Sequence, residues 1–232
     1  MRIISTQDDA VVEAVITATN RQTAVAPHQF FALRPFAKKL EDYFRTAFDI
    51  DKRLYYERRA HQYDAQDIPK RRIVTHHNLV RAVGAMFLGE PHRTTRSFSR
   101  LNERVGVDFF VDTDRPEIYY ASAYAAFRLE ELFKDKKLPG KHKSGRHHIL
   151  LAARLAMDRK GLPPFNSNAI AKRCEQITEA LWSDGDKIIL KSVSIVDRVA
   201  GSNWDPDHIR TQSLTDGILT HFGATRQRGP SG

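Results

Sequence analysis

The chain has 232 residues, 41% of them hydrophobic and 28% charged, the composition of an ordinary globular protein with enough length for one sizeable core. No apolar run approaches the ~20 residues of a membrane helix, and Met1-Arg2-Ile3-Ile4-Ser5-Thr6 lacks a signal-peptide core, so no membrane partner is expected and the cytoplasm is the expected compartment. The single cysteine, Cys174, excludes an internal disulfide and a thiolate zinc cluster, while a net charge of +9 suits a polyanionic partner, nucleic acid first.

Arg2 to Ser5 reads as the end of a strand, and Thr6 with Asp9 three residues on as the start of a helix. Val11, Val12, Val15, Ile16 and Thr19 share one face of it, and Asn20 suits its end. The amides of Asn20 and Gln22, with Thr23 beside them, are then either free to meet a ligand or no more than a capped polar turn. Pro35 suits a first helical position, and Phe36, Leu40, Tyr43, Phe44 and Phe48 follow at helical spacing. Lys38/Asp42 and Glu41/Arg45 are expected to pair on the wet side of this core helix. The period then becomes two from Arg53 to Arg59, a strand that sends Arg58 and Arg59 to opposite faces. Glu57 is the expected partner of one of them, and Gln62 and Tyr63 lie in the exit loop.

Pro69 to Val74 reads as a second extended piece, and Thr75 caps a helix buried through Leu79, Val80, Val83, Met86 and Phe87 and ended by Gly89. His76 and His77 in its first turn are adjacent rather than four apart, a poor zinc pair. Arg93, Arg96, Arg100 and Arg104 read as a solvated face. Val105 to Val111 is a short strand or a loop anchored by Phe109 and Phe110, and Asp112 to Pro116 is a turn into a helix carrying Ile118, Ala121, Ala125, Leu129, Leu132 and Phe133. Residues 134–160 then hold nine Lys or Arg against two Asp, a net +7. Within them Lys136, Lys137, Lys141, Lys143 and Arg146 are candidate phosphate contacts; without interleaved aromatics they speak for backbone contact, and a solvated basic loop is the plain alternative.

Helices follow at Ile149–Met157 and from Asn166 or Ser167 to Trp182. Asp184-Gly185-Asp186 is read as a break before Ile188–Val199, and a last helix starts at Asp205-Pro206 and runs toward Phe222. The expected fold is therefore mainly α with a small β-sheet (α+β): a core at 1–140, a bundle-like helical lobe at 141–222 and a disordered tail at 223–232.

No Walker-type loop, Gly-x-Gly-x-x-Gly, His-Glu-x-x-His or Gly-x-Ser-x-Gly occurs, so no cofactor, metal ligand or catalytic residue is named. Cys174 reads as packing, Asp108, Asp112 and Asp114 as turn chemistry. His142, His147 and His148 would hold a metal only with carboxylates from elsewhere.

Three ordered segments carry a resemblance. They are Ile16-x-x-Thr19-Asn20-x-Gln22-Thr23-x-Val25, Pro35-Phe36-x-x-x-Leu40-Glu41, and Tyr55-Tyr56-Glu57-Arg58-Arg59-x-x-Gln62-Tyr63; Leu88-Gly89-Glu90-Pro91 closes the set. In these the chain resembles the AIPR family, the bacterial abortive phage infection resistance proteins, over a little more than its first half. The resemblance implies anti-phage defence and no settled reaction. Family members are usually longer, with a preceding region bearing an Asn-Gly-x-Gln-Thr-like motif, and some carry a part like restriction-type nucleases. The chain is accordingly expected to be a carboxy-terminal portion, with the amino-terminal half or another defence protein as partner. The expected function is a nucleic-acid or nucleotide binding module in which Asn20, Gln22, Thr23, Arg58, Arg59 and Gln62 share one patch. A scaffold or interaction subunit, whose polar cluster is an internal network, and a metal-dependent nuclease are the alternatives.

Overall fold

The computed structural model describes residues 8–12, 31–94, 97–201 and 203–225. Asn20, Gln22, Thr23, Arg96 and most of the carboxy-terminal tail fall outside them. Helix α1 (Pro35–Thr46) begins at the proline, whose fixed φ suits a first turn, and buries Phe36, Ala37, Leu40 and Phe44. Its Phe36 amide donates to Asp112 Oδ1 at 3.2 Å, so an aspartate distant in sequence caps it.

Strand β1 (Tyr55–Glu57) pairs in parallel with β2 (Ile73–Thr75) in the register Tyr55↔Ile73, Tyr56↔Val74, Glu57↔Thr75. A parallel pair needs a crossover rather than a tight turn, and the chain between Glu57 and Ile73 provides it. The Pro69–Val74 segment is extended only at its end: Lys70–Arg72 is a single 3-10 turn held between the proline and β2. Helix α2 (His76–Met86) follows β2 directly, with Thr75 Oγ1 accepting from the Asn78 amide, and Gly89 at φ +65° ends the turn after it.

After a short helix α3 (Phe98–Asn102), Val105 to Val111 forms a loop with one isolated bridge, Val105↔Phe109. Phe109 and Phe110 are wholly buried as its anchors. Asp114 is buried too, accepting from the Tyr119 hydroxyl at 2.5 Å and from the Val111 amide, so the aspartates of this turn are structural. Removal from water pushes the Asp114 carboxyl above its usual range. Helix α4 (Pro116–Lys134) is the hub, lying against α1, α2, α5 (Arg146–Met157) and α6 (Asn168–Val199).

The expected break at Asp184-Gly185-Asp186 is a kink. Asp184 takes φ −130°, ψ 23°, and helical structure resumes at once, leaving α6 as two rods end to end. Gly185 sits there against Arg128, whose guanidinium pairs with Asp186, so the acidic pair docks on α4 instead of opening a loop. The last helix is divided, α7 (Pro206–Ile209) and α8 (Gln212–His221), because Thr211 caps the second piece. One contiguous set of buried side chains runs from Phe31 to Leu219, and among the described residues no helix is long and apolar enough to cross a membrane. The protein is mainly α with a small β-sheet.

Candidate functional site

The Tyr-Tyr-Glu-Arg-Arg-x-x-Gln-Tyr segment closes on itself. Gln62 Oε1 accepts the backbone amides of both Arg58 and Arg59, at 3.2 and 3.1 Å, and the Tyr63 hydroxyl donates to the Tyr56 carbonyl. Glu41 of α1 clamps this loop. One of its carboxylate oxygens accepts from Arg58 Nε at 2.6 Å, and the other from Gln62 Nε2. Arg58 Nη1 is spent on the Ala32 carbonyl. Glu41 is thus turned toward β1 rather than toward Arg45, which pairs with Asp42; Lys38 reaches Asp9. The expected Glu57 partnership is likewise replaced, since the carboxylate that meets Arg58 is Glu41. Of the expected ligand-binding residues described, Arg58 and Gln62 meet at one carboxylate, and Arg59 stands exposed with no partner for its guanidinium among the described residues.

The basic stretch is divided more sharply than its composition suggests. Arg154 is 2% exposed, donating to the carbonyls of Met86 and Asp158, so it adds nothing to a surface patch. Burial lowers its pKa to about 10. Arg173 of α6 binds the Asp158 carboxylate, and Lys137 pairs with Asp186 at 3.0 Å. Lys136, Lys141 and Lys143 are exposed, with the Lys143 ammonium over the Phe133 ring. The turn that carries them, Gly140–Gly145, is pinned by His142, which packs edge-on against Trp204. A Cβ added at Gly145 would lie 2.3 Å from Trp204 Cζ3. Gly145→Ala is therefore expected to cost about 1–3 kcal/mol, the usual range for overpacking, read as a lower melting temperature; an unchanged melting curve would mean that Trp204 does not seat this turn.

Arg146 leads elsewhere. With Lys70, Arg71 and Lys134 it rims a cavity of about 460 Å³ enclosed by the Lys70–Arg72 turn, β2, α2, α4 and α5. The floor is apolar, made by Ala82, Ala123, Ala126, Phe127 and Leu150, and the Asn78 amide and His147 imidazole also line it. Two of the four cations are already matched, Arg146 to Glu130 at 2.9 Å and Arg71 to Glu131 at 3.3 Å. The ammonium groups of Lys70 and Lys134 have no partner among the described residues. An apolar pocket with two unmatched cations at its mouth suits a ligand that is flat and apolar at one end and anionic at the other.

The charge run points to Arg146 but not to Lys70 and Arg71, which lie far away in the chain within a segment whose pattern is that of an extended piece. Only the parallel pairing of β1 and β2 sets that turn beside α4. Behind the cavity, His92 Nδ1 and His148 Nε2 share the Thr215 hydroxyl, and His147 Nδ1 meets Thr94 Oγ1. Among the described residues no group of three or more His, Cys, Asp or Glu is arranged to hold a metal ion. Cys174 is buried, and its thiol is held well above the usual range by loss of water, in keeping with a packing role.

Comparison with known proteins returns one family: the model described as AIPR protein matches residues 1–209, through α6 and α7 as well as the first half. No curated protein and no solved structure matches the chain.

Proposed function

Because the chain belongs to the AIPR family, whose name denotes abortive phage infection resistance, we propose that it serves anti-phage defence by binding a phosphate-bearing ligand, a nucleotide or nucleic acid. The observation that carries this reading is the pair of unmatched ammonium groups, Lys70 and Lys134, over an apolar floor. Phosphate supplies the charge that this rim lacks, and a nucleobase supplies a flat face for Phe127. Lys136, Lys141 and Lys143, exposed on the connection that leads to Arg146, extend the positive field along a longer strand. Arg59, which does not line the cavity, is proposed as a further contact, as are Asn20, Gln22 and Thr23.

Fluorescence anisotropy with a labelled single-stranded oligonucleotide tests the proposal. Affinity is expected to fall steeply with salt, and Lys70→Ala with Lys134→Ala to weaken it about tenfold or more. Two lost phosphate contacts should also reduce the slope of log K against log salt by about 1.4, at roughly 0.7 per contact on a single strand. Binding that ignores salt and both lysines rejects the reading.

The Glu41–Arg58–Gln62 clamp favours a second, structural role for the motif around it. Its polar atoms are met internally, as a buried network requires, and it ties α1 to the end of β1.

A further inference from the structure

Thr94 settles the tautomer of His147. Its side-chain oxygen lies 2.7 Å from the Pro91 carbonyl, which can only accept, and 2.8 Å from His147 Nδ1. A hydroxyl has one proton to give, and the carbonyl takes it. His147 Nδ1 must then carry its own proton and donate to Thr94, which leaves Nε2 with a bare lone pair. Thr94 is wholly buried, so water does not compete for either bond. Burial, together with the charges of Arg146 and Arg81 and the neighbouring His148, holds the imidazole neutral by lowering its pKa to about 3.

That lone pair belongs to a residue lining the cavity, and Nε2 has no partner among the described residues. The polar groups around it mostly donate: Lys70 and Lys134 through ammonium groups, Arg71 and Arg146 through guanidiniums. The two carboxylates on the rim, Glu130 and Glu131, are engaged by Arg146 and Arg71. Besides the Asn78 amide oxygen, His147 Nε2 is consequently the side-chain acceptor left open beside the apolar floor, where a ligand's base and not its phosphate would lie.

We infer that the cavity takes a single nucleotide unit whose base donates an N–H from its edge to His147 Nε2, with Phe127 under the base and Lys70 and Lys134 on the phosphate. This rests on the reading of the cavity as a phosphate-ligand site and adds what that ligand must present. A volume of about 460 Å³ is sufficient for one nucleotide. The same chemistry is offered by a free nucleotide and by a base splayed from a single strand.

Calorimetric titration of the full chain at pH 7.5 separates these. The free pair of probes is ATP and purine riboside 5′-triphosphate, which keeps the ring and phosphates but lacks the exocyclic amine. The strand pair is a six-residue deoxyadenosine oligomer and its purine-deoxyriboside counterpart. A preference of about tenfold for the amine-bearing probe is expected, the worth of one hydrogen bond made in a partly dry pocket. Preference in the free pair identifies a free nucleotide, and preference in the strand pair alone identifies a splayed base; either supports the inference. Thr94→Val, which lets the imidazole proton move to Nε2, should abolish the preference while leaving triphosphate affinity in place, and His147→Phe should do the same. Thr94→Val guards against a His147 variant that fails to fold. Equal affinity within both pairs, with binding still dependent on Lys70 and Lys134, overturns the role of His147 and leaves the phosphate site standing. Absence of binding by all four probes overturns both.

Discussion

Glu41→Ala should lower the melting temperature by roughly 5–10 °C, taking a loss of about 2–3 kcal/mol and about 2–4 °C per kcal/mol for a chain of this length. The cost lies below that of a fully buried pair because the Arg58 and Glu41 side chains are 11% and 23% exposed. Removing Glu41 strands two groups at once, the Arg58 guanidinium, left with the Ala32 carbonyl alone, and the Gln62 amide that organises the loop. Replacing both partners, Glu41→Leu with Arg58→Met, should recover much of the loss, because no unpaired charge then remains near the core. Differential scanning calorimetry of Glu41→Leu, Arg58→Met and the double variant supplies the cycle, with Glu41→Ala measured beside it. Additive losses, or no loss from Glu41→Ala, would mean that the clamp does not hold α1 to β1.

Acidification should act at least as strongly. Burial holds both His147 and His148 at a pKa of about 3, against 6.5 for an exposed imidazole. For His148 the second cause is His92 across the Thr215 hydroxyl. Between those values the unfolded chain binds protons that the folded chain refuses, so stability falls as the pH drops through 6.5 and continues to fall toward 3. At pH 4.5 the loss relative to pH 7 is about 2 kcal/mol for each imidazole. Urea titrations at pH 7, 6, 5 and 4.5 should show the midpoint moving down throughout, and His148→Gln should flatten the trend. A midpoint independent of pH from 7 to 4.5 would contradict the buried, neutral state of this pair.

The helices were legible because each has a local cause. Pro35 and Pro116 start two of them, Thr75 and Ser167 cap two more, and the apolar spacing on α1, α2 and α4 names the faces that pack. Tyr55–Glu57 announced itself by alternation. What stayed hidden is what depends on tertiary partners. Glu41 looks like any surface glutamate on a helix, and only the return of the chain at Arg58 gives it an inward role. Asp184-Gly185-Asp186 has the composition of a loop, yet Arg128 and Lys137 draw Asp186 onto α4 and the helix passes through with one residue out of line. The cavity was half legible. Arg146 stood out in a run of charge, whereas Lys70, Asn78 and His147 become neighbours only through the crossover between the two strands and the packing of α5 on α2. Arg154 shows the reverse error, a charge counted toward a surface patch that is enclosed among core side chains.

The ligand's phosphate is expected against Lys70 and Lys134, and amine footprinting reads that position. The protein is acetylated briefly with and without the oligonucleotide, and each lysine is quantified by mass spectrometry. Lys70 and Lys134 should lose most of their reactivity in the complex, with Lys141 and Lys143 shielded less and Lys187 and Lys191 on α6 unchanged. Full reactivity at Lys70 and Lys134 in a saturated complex would contradict the account and place the ligand elsewhere on the protein.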